Sequence, residues 1–214
     1  MTITTIFFDL DDTLYPTQSG LWINIRERIN LYMRERLGIP DEEASPMRQR
    51  YLEQYGTTLR GLYNHYALDV GEFLDFVHNL PLREYIAPAP QLRAVLEALP
   101  ARKFIFSNAD HKHVGRVLNV LELDGCFDGV LDILQMWPHC KPMPVAFEMA
   151  LKMAGDPDPR QCAMIDDLPR NTSAALEQGI FSILYGPHAI SASSTEAHAT
   201  LTDWSQLPNI LSQQ

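Results

Sequence analysis

Long apolar runs are missing from this chain, which limits the kind of protein it can be. No stretch of its 214 residues approaches the roughly 20 apolar residues that a bilayer-spanning helix requires. The N-terminal segment has no cationic lead-in and no signal-type apolar core, so no secretion signal is predicted. With 46% hydrophobic residues and a mean hydropathy of -0.15, the composition indicates a soluble protein without a membrane partner.

Cysteine is also scarce. Cys126, Cys140 and Cys162 are odd in number, and no two of them have the CxxC spacing. This usage is typical of reduced thiols in a cytosol rather than of a disulfide framework. We therefore expect a cytoplasmic location.

Basic residues are few, and lysine is the rarest of them. There are 17 Lys and Arg against 27 Asp and Glu, which gives a net charge of -10. Because no basic patch is available to neutralise a phosphate backbone, a nucleic-acid polymer is not expected as a partner. A small phosphate ester needs only a local cation, and clustered acidic residues are how proteins hold Mg²⁺. The lysines are Lys103, Lys112, Lys141 and Lys152.

Two kinds of hydrophobic pattern divide the chain. Residues 15–83 have helical periodicity without strand-like runs, and a proline-punctuated segment follows at residues 80–90. Beyond it helices and strands alternate, which predicts a parallel sheet covered on both faces. We predict an α/β fold in which a Rossmann-like core, residues 1–14 and 84–214, carries an α-helical cap. The cap, residues 15–83, is expected to be inserted after the first strand and over the site.

The predicted elements have the following approximate bounds. Strands are expected at residues 2–9, 103–106, 129–133, 162–165 and 181–184. Helices are expected at 19–37, from 41 onward with a restart at Ser45-Pro46, and at 58–66, 71–79, 91–99, 112–121, 145–154 and 171–178. Residues 186–200 are predicted to be a loop, and 201–211 to cover one sheet edge.

Three polar residues follow the first buried strand at intervals of two: Asp9, Asp11 and Thr13. Ligands usually bind where parallel strands end at the rim of an open α/β sheet. There Asp9 can act as nucleophile and Asp11 as proton-transfer group, which is what phosphoryl transfer through an aspartyl-phosphate requires. Taken alone, the same residues also fit an Asp-rich turn after a strand.

Two later segments carry candidate phosphate contacts. Ser107 and Asn108 follow the second strand, where a hydroxyl and free amides can hold a phosphoryl oxygen. The same two residues also suit a helix cap. Lys141, followed by Pro142, precedes a helix and can aim an ammonium group at a negative centre; the alternative is an ordinary surface lysine.

Asp166 and Asp167 end another buried strand. Adjacent like charges at a strand end are unfavourable unless something offsets them. Together with Asp9 and Asp11 they form a set of four carboxylates, and Mg²⁺ with oxygen ligands and retained waters fits that set best. The alternative is an acidic helix N-terminus stabilised by the macrodipole, which explains one Asp better than two.

In this order the motifs resemble the haloacid dehalogenase (HAD) superfamily of aspartate-nucleophile phosphotransferases, over nearly the whole core. The resemblance implies that Asp9 is phosphorylated, while Asp11 protonates the leaving oxygen and later activates water. It implies that Lys141 balances charge between Asp9 and the phosphate. The implied phosphate-binding residues are Thr13, Ser107 and Asn108.

The same resemblance implies a Mg²⁺ site. Its ligands are Asp9, the Asp11 carbonyl and Asp167, with Asp166 bound directly or through water. Dehalogenase members lack an acid two residues after the nucleophile, and phosphonate-cleaving members use a cap lysine, which residues 15–83 do not contain. Hydrolysis of a phosphomonoester is therefore the most direct interpretation, ahead of the reaction of a sugar-phosphate mutase.

Several stretches also resemble the pyrimidine 5'-nucleotidase branch: residues 8–15, 55–62, 102–109 and 116–118. Residues 8–15 and 102–109 overlap the general motifs of the superfamily. The segment 56–61 therefore carries most of the assignment to this particular branch. It implies a nucleoside monophosphate substrate such as UMP or CMP. The alternatives are a sugar-phosphate or phosphoglycolate phosphatase and, from another class, a non-catalytic phosphate-binding regulator. The oligomeric state stays open.

Candidate substrate contacts of the cap come from its entry and its central turn: Tyr15, Gln18, Trp22 and Arg60. Trp22 can stack on a base, or it can belong to the apolar stripe of its helix. Arg60 also fits a solvated surface charge. Arg170 either approaches a phosphate or lies on the surface at a helix start.

Overall fold

The computed structural model describes residues 2–190 and 195–214. The chain forms two compact units. The core unit comprises Met1–Gln18 and Ile86–Gln214, and the helical unit comprises Ser19–Tyr85. These bounds lie near the predicted cap of residues 15–83; its role as a cap stays a prediction.

The regular elements of the described residues are as follows, in chain order. The strands are β1 Thr5–Phe8, β2 Arg102–Phe106, β3 Gly129–Leu131, β4 Cys162–Asp166, β5 Phe181–Tyr185 and β6 Ala199–Leu201. The helices are α1 Leu21–Leu37, α2 Asp41–Tyr55, α3 Thr58–His65, α4 Val70–Val77, α5 Pro90–Ala98, α6 His111–Leu121, α7 Ile133–Met136, α8 Pro144–Met153, α9 Pro169–Glu177 and α10 Leu207–Ser212.

The strands of the core unit form a single sheet in the order β3-β2-β1-β4-β5-β6. Every neighbouring pair is parallel. All residues of β1 and β4 are buried, as expected of parallel strands covered on both faces. The predicted fold class, an α/β fold with a Rossmann-like parallel sheet, is confirmed.

Aromatic side chains fill one side of this sheet. The rings of Phe7 and Phe104 lie 5.9 Å apart, and Phe106 meets Phe147 of α8 edge to face at 5.3 Å. All four side chains are almost fully buried. Since truncating such a residue costs about 3–5 kcal/mol, this cluster holds β1 and β2 firmly in place.

The register of the sheet brings the carboxyl ends of β2, β1 and β4 to one level. Phe8 pairs with Ile105 on one side and with Ile165 on the other. The chain leaves β1 toward β2 on one side and returns to β4 on the other, so β1 lies at the topological switch point where ligands bind in such sheets. The residues directly after these strands therefore share one edge.

Aromatic contacts also stabilise the helical unit. Tyr32 of α1 packs edge to face on Phe73 and Phe76 at 5.0 and 5.3 Å. Between α2 and α3, a Cβ placed on Gly61 would come within 2.3 Å of the Tyr51 ring. Only glycine permits this close approach of the two helices.

Two of the differences between the predicted and observed helices and strands have a local cause. No restart occurs at Ser45-Pro46, because α2 runs unbroken from Asp41 to Tyr55. Ala44 and Tyr51, seven residues apart, are both buried, so one packed face continues past the proline. Strand β3 ends at Leu131 rather than at residue 133, because Asp132 and Gln135 form a capping box that starts α7.

The C-terminal region also differs from expectation. The sequence predicts a loop over residues 186–200, yet residues 186–190 form a 3₁₀ turn and β6 begins at residue 199. Residues 191–194 of that prediction lie outside the described residues. The 201–211 segment packs on a face of the sheet rather than only along an edge, since the Trp204 ring lies 4.8 Å from that of Tyr185 and 6.2 Å from that of Phe8.

Candidate active site

A tight turn after β1 carries the first group of polar residues. The Asp9 amide continues the ladder with β4 by donating to the Ile165 carbonyl at 2.9 Å. Asp12 has a positive φ of 59°, a conformation that aspartate tolerates better than most residues. The Leu14 amide then donates to the Leu10 carbonyl at 3.0 Å, which closes the turn. Asp9 is thereby fixed at the carboxyl edge of the sheet.

Three carboxylates meet at this edge. Asp9, Asp166 and Asp167 each offer an oxygen, and these oxygens lie within 4.8 Å of one another. Asp166 is fully buried and Asp9 is 8% exposed, while Asp167 is half-buried. We call these three residues the carboxylate cluster.

Lys141 is the cation of the carboxylate cluster. Its Nζ donates to Asp9 Oδ1 and to Asp166 Oδ2, both at 2.7 Å, and its side chain is only 1% exposed. Burial acts to lower the pKa of Lys141, but attraction by Asp166 and Asp9 outweighs it and raises that pKa. The side chain is therefore a permanent ammonium, unlike the surface lysine that the sequence left open.

Asn108 fixes the backbone of Lys141. Its Oδ1 accepts from the Lys141 amide at 2.9 Å, and its Nδ2 donates to the Lys141 carbonyl at 3.1 Å. This two-point contact joins the loop after β2 to the loop before α8. The Asn108 side chain is thus used to place the ammonium.

Asp166 is the most fully satisfied member of the carboxylate cluster. Asn171 Nδ2 lies 2.9 and 3.0 Å from its two oxygens, and the Leu168 amide donates to Oδ1 at 3.0 Å. With Lys141 added, this buried charge has the hydrogen bonds that make its burial tolerable.

The carboxylate cluster carries more negative charge than Lys141 can offset. Burial, together with repulsion by Asp166, raises the pKa of Asp9 to about 7 against the attraction of Lys141. Burial and the neighbouring carboxylates likewise raise the pKa of Asp167 well above its ordinary value. A further cation would relieve both. Mg²⁺ fits, because all three donors are hard carboxylate oxygens and the buried Asn171 Oδ1 accepts no hydrogen bond within the described part of the chain.

The side chain of Asp11 lies outside the carboxylate cluster. Its Oδ1 accepts from the Tyr15 hydroxyl at 2.6 Å and lies 2.8 Å from His113 Nε2. Burial and the charge of Asp11 raise the pKa of Tyr15 well above its ordinary value, so the hydroxyl stays a donor. Tyr15 itself is 1% exposed, and its role as a substrate contact stays a prediction.

The remaining predicted phosphate contacts lie at the same edge. Ser107, at the end of β2, is buried, and its Oγ accepts from the Ala109 amide at 3.0 Å. Its hydroxyl hydrogen can still be donated to a ligand. Thr13 is fully buried, with its hydroxyl 3.4 Å from Asp9 Oδ2.

The other candidate contacts lie elsewhere in the chain. Gln18 is exposed, and Trp22 is half-buried in the first turn of α1. Arg60 is half-buried and donates to the Tyr55 carbonyl at 2.5 Å, which makes it more than a solvated charge. Arg170, in the first turn of α9, is half-buried, and burial lowers its pKa.

His113 is the site residue that sequence reasoning missed. It lies in the first turn of α6, where Asp110 caps the helix by accepting from the His113 amide at 3.1 Å. Its side chain has no solvent exposure. A histidine in the first turn of the helix after Ser107 was the available signal, because that turn faces the edge where the strands end.

The fold and this set of side chains define a class: an α/β protein with an acidic site at the switch point of a parallel sheet. A family model described as haloacid dehalogenase-like hydrolase matches residues 3–179, well over half of the chain. The chain belongs to the haloacid dehalogenase-like hydrolase family.

One curated protein illustrates the relationship in sequence. Phosphate metabolism protein 8 of Saccharomyces cerevisiae is 28% identical over 193 residues, which cover 84% of this chain and 60% of that protein. The chain thus spans about three fifths of the length of this curated relative.

Solved structures support the fold. The HAD-hydrolase YfnB from Bacillus subtilis, bound to magnesium, has a TM-score of 0.65 at 17% identity and covers 99% of both chains. A β-phosphoglucomutase from Clostridium difficile has a TM-score of 0.66 at 20% identity, covering 99% of this chain and 96% of its own. Within the described ranges, no helix combines the length and apolar character that crossing a membrane requires.

Proposed function

We propose that this chain is a Mg²⁺-dependent phosphomonoesterase that works through an aspartyl-phosphate on Asp9. The observation that carries the proposal is the division of labour among its carboxylates. Asp9 and Asp166 share the ammonium of Lys141 at 2.7 Å, whereas Asp11 is held apart by Tyr15 and His113. Nucleophile and proton-transfer group therefore have separate surroundings, as the two roles require.

The first half of the reaction forms the covalent intermediate. An oxygen of Asp9 attacks phosphorus while the bond from phosphorus to the ester oxygen breaks. Asp11 gives its proton to that leaving oxygen, so the product departs as a neutral alcohol. Lys141 and the hydroxyl of Ser107 offset the charge of the phosphoryl oxygens, which is the main demand in phosphoryl transfer.

The second half returns the enzyme to its starting state. Asp11, now a carboxylate, takes a proton from water as the water oxygen bonds to phosphorus. The bond between phosphorus and Asp9 breaks, and inorganic phosphate leaves. The proton balance closes, because Asp11 regains the proton that it gave away.

Mg²⁺ would be held by Asp9, the Asp11 carbonyl and Asp167, with Asp166 bound directly or through water. It supplies positive charge against the phosphoryl oxygens. The raised pKa of Asp9 and the cluster geometry support a cation here. The magnesium in the B. subtilis neighbour is consistent with this choice.

We propose a nucleoside 5'-monophosphate, UMP or CMP, as substrate. The support is the resemblance of residues 55–62 to the pyrimidine 5'-nucleotidase branch. In that reading the helical unit is the cap that sets specificity, with Trp22 and Arg60 as its candidate contacts. A sugar phosphate is the second candidate, since one solved neighbour is a β-phosphoglucomutase. A cytoplasmic location stays a prediction.

A phosphate-release panel tests the proposal. We expect release from UMP and CMP above AMP, sugar phosphates and phosphoglycolate, with loss of release in EDTA and recovery on adding Mg²⁺. Preference for sugar phosphates would favour the second candidate. Tight binding of phosphate esters without release from any of them would favour a non-catalytic regulator.

The matched variants of the same panel are Asp9→Asn and Asp156→Asn. Asp9→Asn removes the nucleophile and should abolish turnover. Asp156 is exposed and has a positive φ of 54°, a conformation that asparagine also adopts. Asp156→Asn should therefore retain full turnover. Full turnover by purified Asp9→Asn would refute the proposed mechanism.

A further inference from the structure

A buried carboxylate of the core unit lies outside the carboxylate cluster. Asp132 is 1% exposed and directly follows strand β3. Its Oδ1 accepts from the Gln135 amide and its Oδ2 from the His111 amide, both at 2.8 Å. The His111 ring is 70% exposed, and its Nδ1 lies 3.6 Å from Oδ2, too far for a hydrogen bond. Each carboxylate oxygen therefore holds a backbone N–H, one in α7 and one at the start of α6.

Capping α7 does not account for both of these bonds. Helix α7 has only four residues, and its capping box with Gln135 uses Oδ1 alone. A serine or an asparagine would supply that single acceptor equally well. The bond from Oδ2 reaches instead to His111, 21 positions earlier in the chain. A carboxylate suits this position because it offers an acceptor on each branch, whereas asparagine offers one acceptor and one donor.

The bond to Oδ2 closes the loop that carries Ser107. This loop, residues 107–110, joins β2 to α6. Two backbone hydrogen bonds, each 3.0 Å long, connect its first and third residues to the segment 131–133. Asp132 adds a third connection between the same two segments, through its side chain and just beyond the end of the loop. The loop is therefore held along its whole length.

The conformation of this loop sets the direction of the Ser107 hydroxyl. Ser107 Oγ accepts from the Ala109 amide at 3.0 Å, so the oxygen moves with the backbone of the loop. In the proposed mechanism this hydroxyl offsets charge on a phosphoryl oxygen. A displacement of about 1 Å at such a contact costs about 10²-fold in rate. A loss of support at Asp132 would therefore reach the phosphoryl group.

We infer that Asp132 is a positioning residue, which holds the 107–110 loop so that the Ser107 hydroxyl meets the phosphoryl group. The inference rests on the proposed function and deepens it, because Asp132 has no part in the steps of that mechanism. In this role Asp132 acts through Ser107 and takes part in no bond making or breaking. Its hydrogen bonds to the two amides are charge-assisted and therefore stronger than those of a neutral acceptor.

A double-mutant cycle with Ser107 tests the inference. Asp132→Asn keeps the shape of the side chain but turns an NH₂ group toward one of the two backbone amides. Alone, it should lower kcat/KM by about 10- to 100-fold. Ser107→Ala removes the hydroxyl and should lower kcat/KM by about 10²-fold or more. In the Ser107→Ala background, Asp132→Asn should change kcat/KM by no more than about 2-fold, because the group that it positions is gone.

The assay follows UMP, or p-nitrophenyl phosphate if UMP is not hydrolysed, in saturating Mg²⁺ with rates expressed per folded protein. The matched control is Asp203→Asn. Asp203 is exposed and caps a 3₁₀ turn by accepting the Ser205 amide on Oδ1 at 2.8 Å. Asparagine retains such a cap, so this variant should keep the wild-type kcat/KM.

Asp132→Ser keeps the inference testable if Asp132→Asn does not fold. Serine can still cap α7 but is too short to reach the His111 amide, so it should show the same dependence on Ser107. Equal losses with and without the Ser107 hydroxyl, or full activity of Asp132→Asn, would overturn the inference and leave the proposed function intact. Wild-type protein that hydrolyses neither ester would overturn the proposed function and this inference with it.

Discussion

The carboxylate cluster of the core unit buries its charges, whereas the pair of Arg34 with Asp41 in the helical unit exposes them. In the core unit, Lys141 binds Asp9 and Asp166 with side-chain exposures of 1%, 11% and 0%. In the helical unit, Arg34 pairs with Asp41 at exposures of 45% and 73%. Exposed pairs contribute about 0–1 kcal/mol, whereas burying charges is costly unless each finds partners.

The two units also differ in what stabilises them. The core unit gathers acids and an ammonium at the edge of an otherwise apolar sheet. The helical unit contains no lysine and depends on aromatic packing, such as Tyr32 on Phe73 and Phe76. Variants in the carboxylate cluster should therefore change activity and stability together, while variants in the aromatic packing of the helical unit should change stability alone.

The largest contrast should come from removing one cation in each unit. Lys141→Met leaves Asp9 and Asp166 buried without their ammonium, and breaking a buried pair in this way costs about 3–5 kcal/mol. Arg34→Met should cost about 0–1 kcal/mol, because its pair is exposed. Chemical denaturation of the two variants, in Mg²⁺-free buffer near neutral pH, measures both free energies of unfolding.

Phosphate release separates the same two variants further. Lys141→Met should lose turnover, and Arg34→Met should keep it. Similar destabilisation by both variants would show that the buried cluster holds its charges no more tightly than a surface pair does.

The next largest expected effect is a pH dependence of the free energy of unfolding that is caused by the titration of Asp9. Burial raises its folded-state pKa to about 7 from the ordinary 3.8. The folded state thus holds this proton more tightly than the unfolded state. The stabilisation is fully present below about pH 4 and is lost as the pH rises through about 7.

The measurement is the free energy of unfolding in EDTA at about pH 5 and about pH 8. It should fall more for wild-type protein than for Asp9→Asn, whose amide does not titrate. Saturating Mg²⁺ should reverse the wild-type loss at the higher pH, because the cation replaces the proton. A pH response in EDTA that is identical in the two proteins would contradict the assignment of the effect to Asp9.

The smallest contrast compares two glycines. Gly61→Ala places a methyl group 2.3 Å from the Tyr51 ring, and such overpacking costs about 1–3 kcal/mol. Gly115→Ala, inside α6, meets nothing within 4 Å and should stabilise by about 0.4–1 kcal/mol. Thermal unfolding should move in opposite directions for the two, and a shared direction would contradict the packing described between α2 and α3.

The residues at the strand ends could be placed from the sequence. Asp9, Ser107 and Asp166 each follow or end an apolar run, and parallel strands in register carry such residues to one edge. Strand β6 could not be found, because Ala199–Leu201 is too short to show a period and pairs only with β5. Edge strands of this length carry little local signal.

The orientation of side chains at the site was also beyond the sequence. The motif spacing placed Asp11 near Asp9 but did not indicate that its carboxyl would bind Tyr15 and His113. Nor did it indicate that the side-chain amide of Asn108 would form hydrogen bonds with the Lys141 backbone. The contacts of Asn108 with Lys141 and of His113 with Asp11 join residues 33 and 102 positions apart, and only the assembled sheet brings them within reach.

The central claim is that Asp9 carries the phosphoryl group. Rapid acid quench of the protein during turnover of p-nitrophenyl phosphate, followed by peptide mapping in a mass spectrometer, tests it directly. We expect a single phosphoryl adduct on the peptide containing Asp9 that is missing in Asp9→Asn. Turnover with no adduct there, or with an adduct on another residue, would contradict it.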